Sequence, residues 1–305
     1  MSTHQLDNSN VSAVLGKTVE YPDQYDPSIL VREPRQGNRA HLQIHDDDLP
    51  FVGADVWNAY EVSCLTNKGL PVTAVAKIVY PCANSYIVES KSLKLYLNSY
   101  NMTRLGDNPD EALNLIGEKV ADDLSELLET NVAVGIFTPT EARKGAVDHI
   151  FGSKQYITLE DQSNVIDKLE LDRYTESPNL LIATENQYQT KQFYHSSLLK
   201  SNCRVTNQPD WGDVYIYMDS LKAIDPKSLL RYIVSFRDEN HFHEEICETI
   251  YKRLETRYKP RELGVTCLYV RRGGIDINPT RVSNVDLLNM DLIDPQIVFT
   301  KTSRQ

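Results

Sequence analysis

The five cysteines of this sequence, Cys64, Cys82, Cys203, Cys247 and Cys267, are an odd number, and no two are spaced as C-x-x-C. That argues against a disulfide framework and against a cysteine-rich zinc site, and it fits a reducing cytoplasm. Long apolar runs are missing as well. Nothing approaches the ~18 residues of a membrane span, and Met1 to Asn10 is polar. Basic charge is scarce: 32 Lys and Arg face 43 Asp and Glu, a net charge of −11. A general nucleic-acid binder needs clustered cations for phosphate, so none is expected here, although a local basic pocket for a small phosphorylated ligand is compatible with the total. Neither G-x-G-x-x-G nor G-x-x-x-x-G-K occurs, so Rossmann and P-loop sites are not supported.

What is present is the composition of a soluble globular protein, 41% hydrophobic and 25% charged over 305 residues. That length allows one large domain or two of ordinary size. Residues 1–45 read as an N-terminal arm, polar and punctuated by proline and glycine, with little core of its own. His45-Asp46-Asp47-Asp48 reads as a solvated turn. A first module spans 46–150. In it Tyr60 to Leu65 and Val72 to Tyr80 form a hairpin across Gly69-Leu70-Pro71. Asn108-Pro109-Asp110-Glu111 is a helix start, a cap followed by a first-turn proline and two acids. Ala112, Leu113, Ile116, Val120, Leu124 and Leu127 then keep helical spacing. Val132 to Phe137 is a strand. Residues 151–190 are a mixed, polar connection, and 191–305 form a second module.

The second module repeats the first. Ser228-Leu229-Leu230-Arg231-Tyr232-Ile233-Val234-Ser235-Phe236 lies 136 residues beyond Ser92-Leu93-Lys94-Leu95-Tyr96-Leu97-Asn98-Ser99-Tyr100, with Ser, Leu, Tyr and Ser identical. A helix follows in each half, here Phe242 to Tyr258, and then a strand, Val265 to Arg271, closed by Gly273-Gly274. This predicts a duplicated strand-strand-helix-strand unit, two α+β modules packing their sheets together.

Four stretches can carry chemistry. Cys203 alone is more often a small buried hydrophobe. Its neighbours Lys200, Ser201, Asn202 and Arg204 are polar, however, and cations favour the reactive thiolate. Thr206-Asn207-Gln208-Pro209 reads as a turn that returns Asp210, a proton carrier, towards the thiol. In His241-Phe242-His243-Glu244-Glu245, two histidines at i and i+2 do not share a helix face, so a helical zinc pair is not expected. A surface polar turn anchored by Phe242 is the plain reading. The functional one uses His243 as proton relay and Glu244 as acceptor for N–H groups. Glu89-Ser90-Lys91-Ser92-Leu93-Lys94 is by default a solvated strand edge, and its lysines and hydroxyls also suit phosphate. Arg271-Arg272-Gly273-Gly274 offers fork donors beside glycines that permit close approach.

Together these stretches resemble the family of NADPH-dependent nitrile reductases that act on 7-cyano-7-deazaguanine in queuosine biosynthesis, in its long two-module form. The resemblance covers nearly the whole chain. It begins at Leu15-Gly16-Lys17 with Tyr21 and Tyr25, and runs through Leu49-Pro50-Phe51, Trp57 and the Glu89-to-Ser99 motif. It continues through Leu199 to Cys203, Val205 to Gly212 and Phe242-His243-Glu244, and ends with Arg271 to Pro279. It implies two tandem tunnelling-fold modules, antiparallel sheets with helices on one face, in a cytoplasmic homodimer without metal. It implies catalysis by Cys203, Asp210 and His243 through a covalent thioimide. It implies substrate contacts from Val88, Glu89, Ser90, Phe242, His243 and Glu244, and NADPH contacts from Ser90, Lys91, Arg272 and Gly273. The partner implied is the small-molecule nitrile, with no direct nucleic acid and no membrane. Readings on the same fold that stay open from the residues alone are an amidine- or amine-transferring enzyme, a zinc cyclohydrolase and a non-catalytic purine- or pterin-binding protein.

Overall fold

The structure, a computed structural model, describes residues 22, 24–144, 151, 156–167 and 169–305. Leu15-Gly16-Lys17 and Tyr21 lie outside the described residues. The arm contributes Arg32–Pro34 (β1) and the short helix Gln36–His41 (α1). The first half then runs Val52–Leu65 (β2), Pro71–Pro81 (β3), Tyr86–Val88 (β4), Ser90–Ser99 (α2), Pro109–Leu128 (α3) and Ala133–Phe137 (β5). The connection holds Pro139–Lys144 (α4), Ile157–Thr158 (β6) and Ser163–Ile166 (α5). The second half runs Ala183–Cys203 (β7), Pro209–Ile224 (β8), Pro226–Val234 (α6), Asn240–His241 (β9), His243–Tyr258 (α7), Glu262–Tyr269 (β10) and Ile275–Val282 (β11), followed by Met290–Ile293 (α8).

The expected repeat is present, with one more helix than anticipated. The matching stretches are themselves helices, α2 and α6, capped alike, so Glu89 to Lys94 is a capped helix start and not a strand edge, because the Glu89 carboxylate takes the first N–H groups. Glu89 Oε2 accepts from Ser92 N at 2.7 Å and Asp225 Oδ1 from Ser228 N at 2.7 Å. Ser92 and Ser228 each return a hydroxyl hydrogen bond of 2.8 Å to the capping residue's carbonyl. Ser99 and Ser235 each donate to a tyrosine carbonyl at 2.6 Å. A carboxylate cap is worth roughly 1 kcal/mol, which explains why the acid recurs at the equivalent position. In α3, Asn108 accepts from Glu111 N and Pro109 opens the helix, as its sequence signal prescribes. Its buried face ends on Leu128 rather than Leu127.

The halves do not stack sheet on sheet. They join edge to edge, because β11 pairs with β10 on one side and with β2 on the other, from Ile275 against Ala59 to Val282 against Val52. Among the described residues the order is β5-β3-β2-β11-β10-β8-β7-β6, with β9 also on β7, antiparallel except where β6 and β9 meet β7. Side chains alternate between faces along each strand. Trp57, Ala76, Ile78 and Tyr80 pack with α2 and α3, and Val214, Ile216, Val265 and Cys267 with α6 and α7. Ala54, Val56, Val79, Tyr215 and Leu268 face the other way, towards Leu292 and Phe299.

The arm is more integrated than its polarity suggests. Leu42 and Ile44, with Phe51 just beyond the arm, join the core of the second half. Arg35 bonds Asp55 at 2.5 Å, Arg39 bonds Glu248 at 2.9 Å, and Arg281 bridges both acids at 2.8 and 3.0 Å. All five side chains are buried. Burial opposes ionisation of Asp55 and Glu248, yet the arginines outweigh it and hold both carboxyls below their ordinary range. Asp55→Asn, which leaves buried guanidinium charge unpaired, is expected to cost roughly 3–5 kcal/mol, read as a lower urea midpoint. The contribution is fully present above the unfolded carboxylate pKa of about 4 and is lost as pH falls through the lower folded value. Stability measured against pH should therefore show a flatter acid limb in the variant.

Candidate active site

Two hairpin tips and two helix starts converge on one cavity of about 420 Å3. It is lined by Glu89, Ser90, Lys91 and Lys94 from the start of α2, and by Cys203, Gln208 and Asp210 around the β7–β8 turn. His243 at the start of α7 and Arg272 and Gly273 at the β10–β11 turn complete the wall. Each half of the chain thus supplies part of it. Val88, Phe242 and Glu244, also singled out from sequence, do not line it. Val88 is in the first-half core, Phe242 caps α7 and Glu244 is buried beside the ion cluster.

The β7–β8 turn closes with Cys203 N–H on the Gln208 carbonyl at 2.8 Å and Asn207 N–H on the Cys203 carbonyl at 2.9 Å. Asn207 occupies the left-handed region, φ 55, which asparagine tolerates better than most residues. Ser201 pairs with Asp210 across the hairpin. Cys203, two residues beyond Ser201, therefore emerges on the face that carries Asp210. The folding back anticipated from Thr206 to Pro209 is what brings the two together. Opposite, Arg272-Gly273-Gly274-Ile275 closes through Arg272 N on the Ile275 carbonyl at 2.9 Å, with φ of 56 and 76 at the glycines. A two-residue hairpin turn of that kind favours glycine. A Cβ on Gly273 would stand 3.1 Å from Lys94 Cδ, so the glycine also lets the lysine stem pass.

Charge in the cavity is sharply divided. The Arg272 guanidinium bonds the Asp210 carboxylate and reaches Gln208 Oε1 at 2.5 Å. His243 Nε2 lies 3.7 Å from Asp210 Oδ1, and its ring meets Tyr269 edge-on at 4.0 Å. Burial pushes the imidazole down to about 4, helped by Arg272 and Lys94 and opposed by Asp210. His243 is therefore neutral near pH 7. Burial and then Arg272 also lower Lys94, an amine within electrostatic range of Glu89, Cys203 and Asp210. The carboxylate of Glu89 is occupied with its own helix, accepting from Lys91 N at 2.9 Å and Ser92 N at 2.7 Å.

Glu244 is the third buried group of note. Burial raises it to about 8, with the Asp55 charge adding and Arg35 opposing. The ion cluster already balances three arginines against Asp55, Glu248 and Asp46, so a further negative charge finds no partner. Glu244 Oε1 and the hydroxyl of Tyr269 have no hydrogen-bond partner among the described residues. Buried polar atoms are normally satisfied, and here both flank His243, one by chain position and one by ring contact. Lys94, a candidate phosphate ligand from its sequence run, lines the cavity, and so does Gln208, which had no sequence role. Lys94 follows Lys91 by three residues on α2, a spacing that signals a shared helix face. Gln208 carries no such signal.

These features define a two-module tunnelling-fold protein with a thiol, a carboxylate and a neutral imidazole at the seam. Residues 21–136 match the family described as nitrile reductase, 7-cyano-7-deazaguanine-reductase N-term, and residues 209–286 match one described as QueF-like protein. The NADPH-dependent 7-cyano-7-deazaguanine reductase of Colwellia psychrerythraea is 38% identical over 308 residues, covering 100% of both chains. That of Acidovorax ebreus is 43% identical, covering 91% of this chain and 95% of its own, and that of Desulfotalea psychrophila 40%, covering 92% and 96%. A solved apo archaeosine synthase QueF-Like covers 32% of this chain and 95% of its own at 15% identity and a TM-score of 0.28. The chain belongs to the family of NADPH-dependent 7-cyano-7-deazaguanine reductases.

Glu244 sets a measurable pH dependence. Its folded value of about 8 exceeds the ordinary 4.5. The folded chain keeps a proton that the unfolded chain has released, so stability falls as pH rises through that window. Glu244→Gln removes the ionisation. The variant is expected to be more stable than the parent at pH 8, by on the order of a few kcal/mol, with the gap closing near pH 5. Denaturant unfolding at both pH values checks this.

Proposed function

We propose that this chain reduces the nitrile of 7-cyano-7-deazaguanine to an aminomethyl group with NADPH, in queuosine biosynthesis, through a thioimide on Cys203. The observation that supports it best is the single cavity in which Cys203, Asp210 and His243 face Ser90, Lys91 and Lys94 across the seam between the halves.

In this reading Cys203 Sγ forms a bond to the nitrile carbon, one π bond opens onto nitrogen, and the thiol proton travels through Asp210 to that nitrogen. Arg272 holds the Asp210 carboxylate towards the turn that carries the thiol. Neutral His243, beside Asp210, orients the substrate and passes protons without a charge of its own. The chemistry supplied by bound NADPH is hydride, required twice because nitrile to amine is a four-electron change. Between the two reductions the carbon–sulfur bond breaks and Cys203 leaves, while Glu89 and Ser90 keep the imine in place. Glu89, on the cavity wall, recognises the polar edge of the base, and Glu244, buried behind the wall one residue beyond His243, joins it when its side chain turns towards the base. The unfilled Oε1 of Glu244 gives that edge a buried partner, and buried partners left unpaired are what reject a wrong substrate. Phe242, directly before His243, offers an aromatic ring to stack on the flat base.

The residues fit the cofactor's phosphates. Lys91, Lys94 and Arg272 line the cavity beside Ser90 and Gly273, with the Lys94 stem lying against the Gly273 backbone. A helix start usually binds anions through its N–H groups. Here the Glu89 carboxylate occupies two of them, so side-chain cations would carry the binding, and an anion would relieve the repulsion between Lys94 and Arg272. The proposal extends to a cytoplasmic homodimer. Among the described residues no helix is long and apolar enough to cross a membrane.

Cys203→Ala is expected to show no covalent adduct with the nitrile in intact-mass spectra; an adduct that survives removes Cys203 from its role. Asp210→Asn should slow adduct formation by about 100-fold with nitrile affinity nearly kept. Arg272→Ala should raise the KM for NADPH far more than that for the nitrile, and the reverse pattern would place the cofactor elsewhere.

A further inference from the structure

The thiol and His243 belong to different elements, and one carboxylate spans the gap between them. Glu245, buried near the start of α7, accepts from Arg204 Nη1 through Oε1 at 2.8 Å. Its Oε2 accepts from Phe242 N at 3.0 Å and lies 3.3 Å from His241 Nδ1. Arg204 follows Cys203 directly, and Phe242 precedes His243. We infer that Glu245 is a positioning residue that sets the placement of the Cys203 thiol against His243.

Neighbouring contacts run the same way. β9 pairs in parallel with the end of β7, Asn202 with Asn240 and Cys203 with His241. Asn240 Nδ2 donates to Asn207 Oδ1 at 2.8 Å, which ties β9 to the catalytic turn. Backbone pairing fixes those strands, but it ends at His241, before His243. Glu245 continues the link by side chain. From the other side the arm meets it as well, with Asn38 Nδ2 on the Glu245 carbonyl at 3.4 Å. Phe242 has no side-chain acceptor, so the first turn of α7 is capped from within by Glu245, half of the usual reciprocal arrangement.

Energetics separate this role from a purely structural one. The Arg204 side chain is 45% exposed, and ion pairs with an exposed partner contribute little to stability. The pair is therefore better suited to geometry than to holding the fold. A misplacement of the order of 1 Å between reacting groups lowers rates by about 100-fold. Glu245→Gln keeps an oxygen for Phe242 N–H and turns an amide towards Arg204, so it removes the tether and spares the cap.

The inference rests on the thioimide reading, and the test separates the two. Adduct formation with the nitrile is followed by intact mass in the parent, Glu245→Gln, Arg204→Gln and the double variant. Reduction of preformed adduct by NADPH is timed separately. Both single variants should slow adduct formation by roughly 10- to 100-fold, with the double variant no slower than the slower single. The rate of reducing preformed adduct should stay within about twofold and Tm within a few degrees, and Arg204→Lys should recover part of the rate. Adduct forming at the parental rate in both singles, or effects that add in the double variant, would overturn the inference. An adduct lost in Cys203→Ala but formed at full rate in Glu245→Gln overturns the inference alone. No adduct in the parent overturns both.

Discussion

The buried pairing of Arg281 with Asp55 and Glu248 is the constraint on which the rest of the molecule depends. Arg281 is on β11, Asp55 on β2 and Glu248 on α7, so one guanidinium clamps the strand seam to the helix above it. Arg35 and Arg39 bring the arm into the same knot. A knot of this kind is weak evidence for stability, since desolvation consumes much of the Coulombic gain. Its consequence is alignment. β11 cannot shift register against β2 without leaving Arg281 unpaired, and α7 cannot slide without stranding Glu248. The wall of the cavity follows, because His243 begins α7 and Arg272 lies in the two-glycine turn that leads into β11.

The same knot shapes the electrostatics of the site. With its charges balanced, it leaves Glu244 to protonate, and burial leaves His243 neutral. The remaining charged groups that line the cavity are Arg272, Asp210, Lys94, Lys91 and Glu89. A neutral planar base and an anionic cofactor would thus meet different parts of one cavity.

Much of the architecture was legible in the sequence because local rules decided it. Asn108-Pro109 and the apolar stripe of α3, the hairpin across Gly69, and the match between Ser92–Tyr100 and Ser228–Phe236 all act over a few residues. Long-range pairing was not legible. Nothing local tells that Arg281 meets Asp55 across 226 positions or that β11 joins the halves edge to edge. The arm looked independent because its polar residues were counted as exposed, whereas its arginines are buried on acids of both halves. Within the site, Cys203 and Asp210 were joined by a readable turn. The capping duty of Glu89, the pairing of Arg272 with Asp210, and the tether from Arg204 to Glu245 depend on how separate elements dock.

In the proposed function both halves build one reducing site for a nitrile. It is tested most directly by adding limiting 7-cyano-7-deazaguanine to the protein with excess NADPH and counting cofactor oxidised per nitrile consumed. Two NADPH should be oxidised per aminomethyl product formed. Nitrile bound without NADPH oxidation, or amine formed at any other ratio, would contradict it.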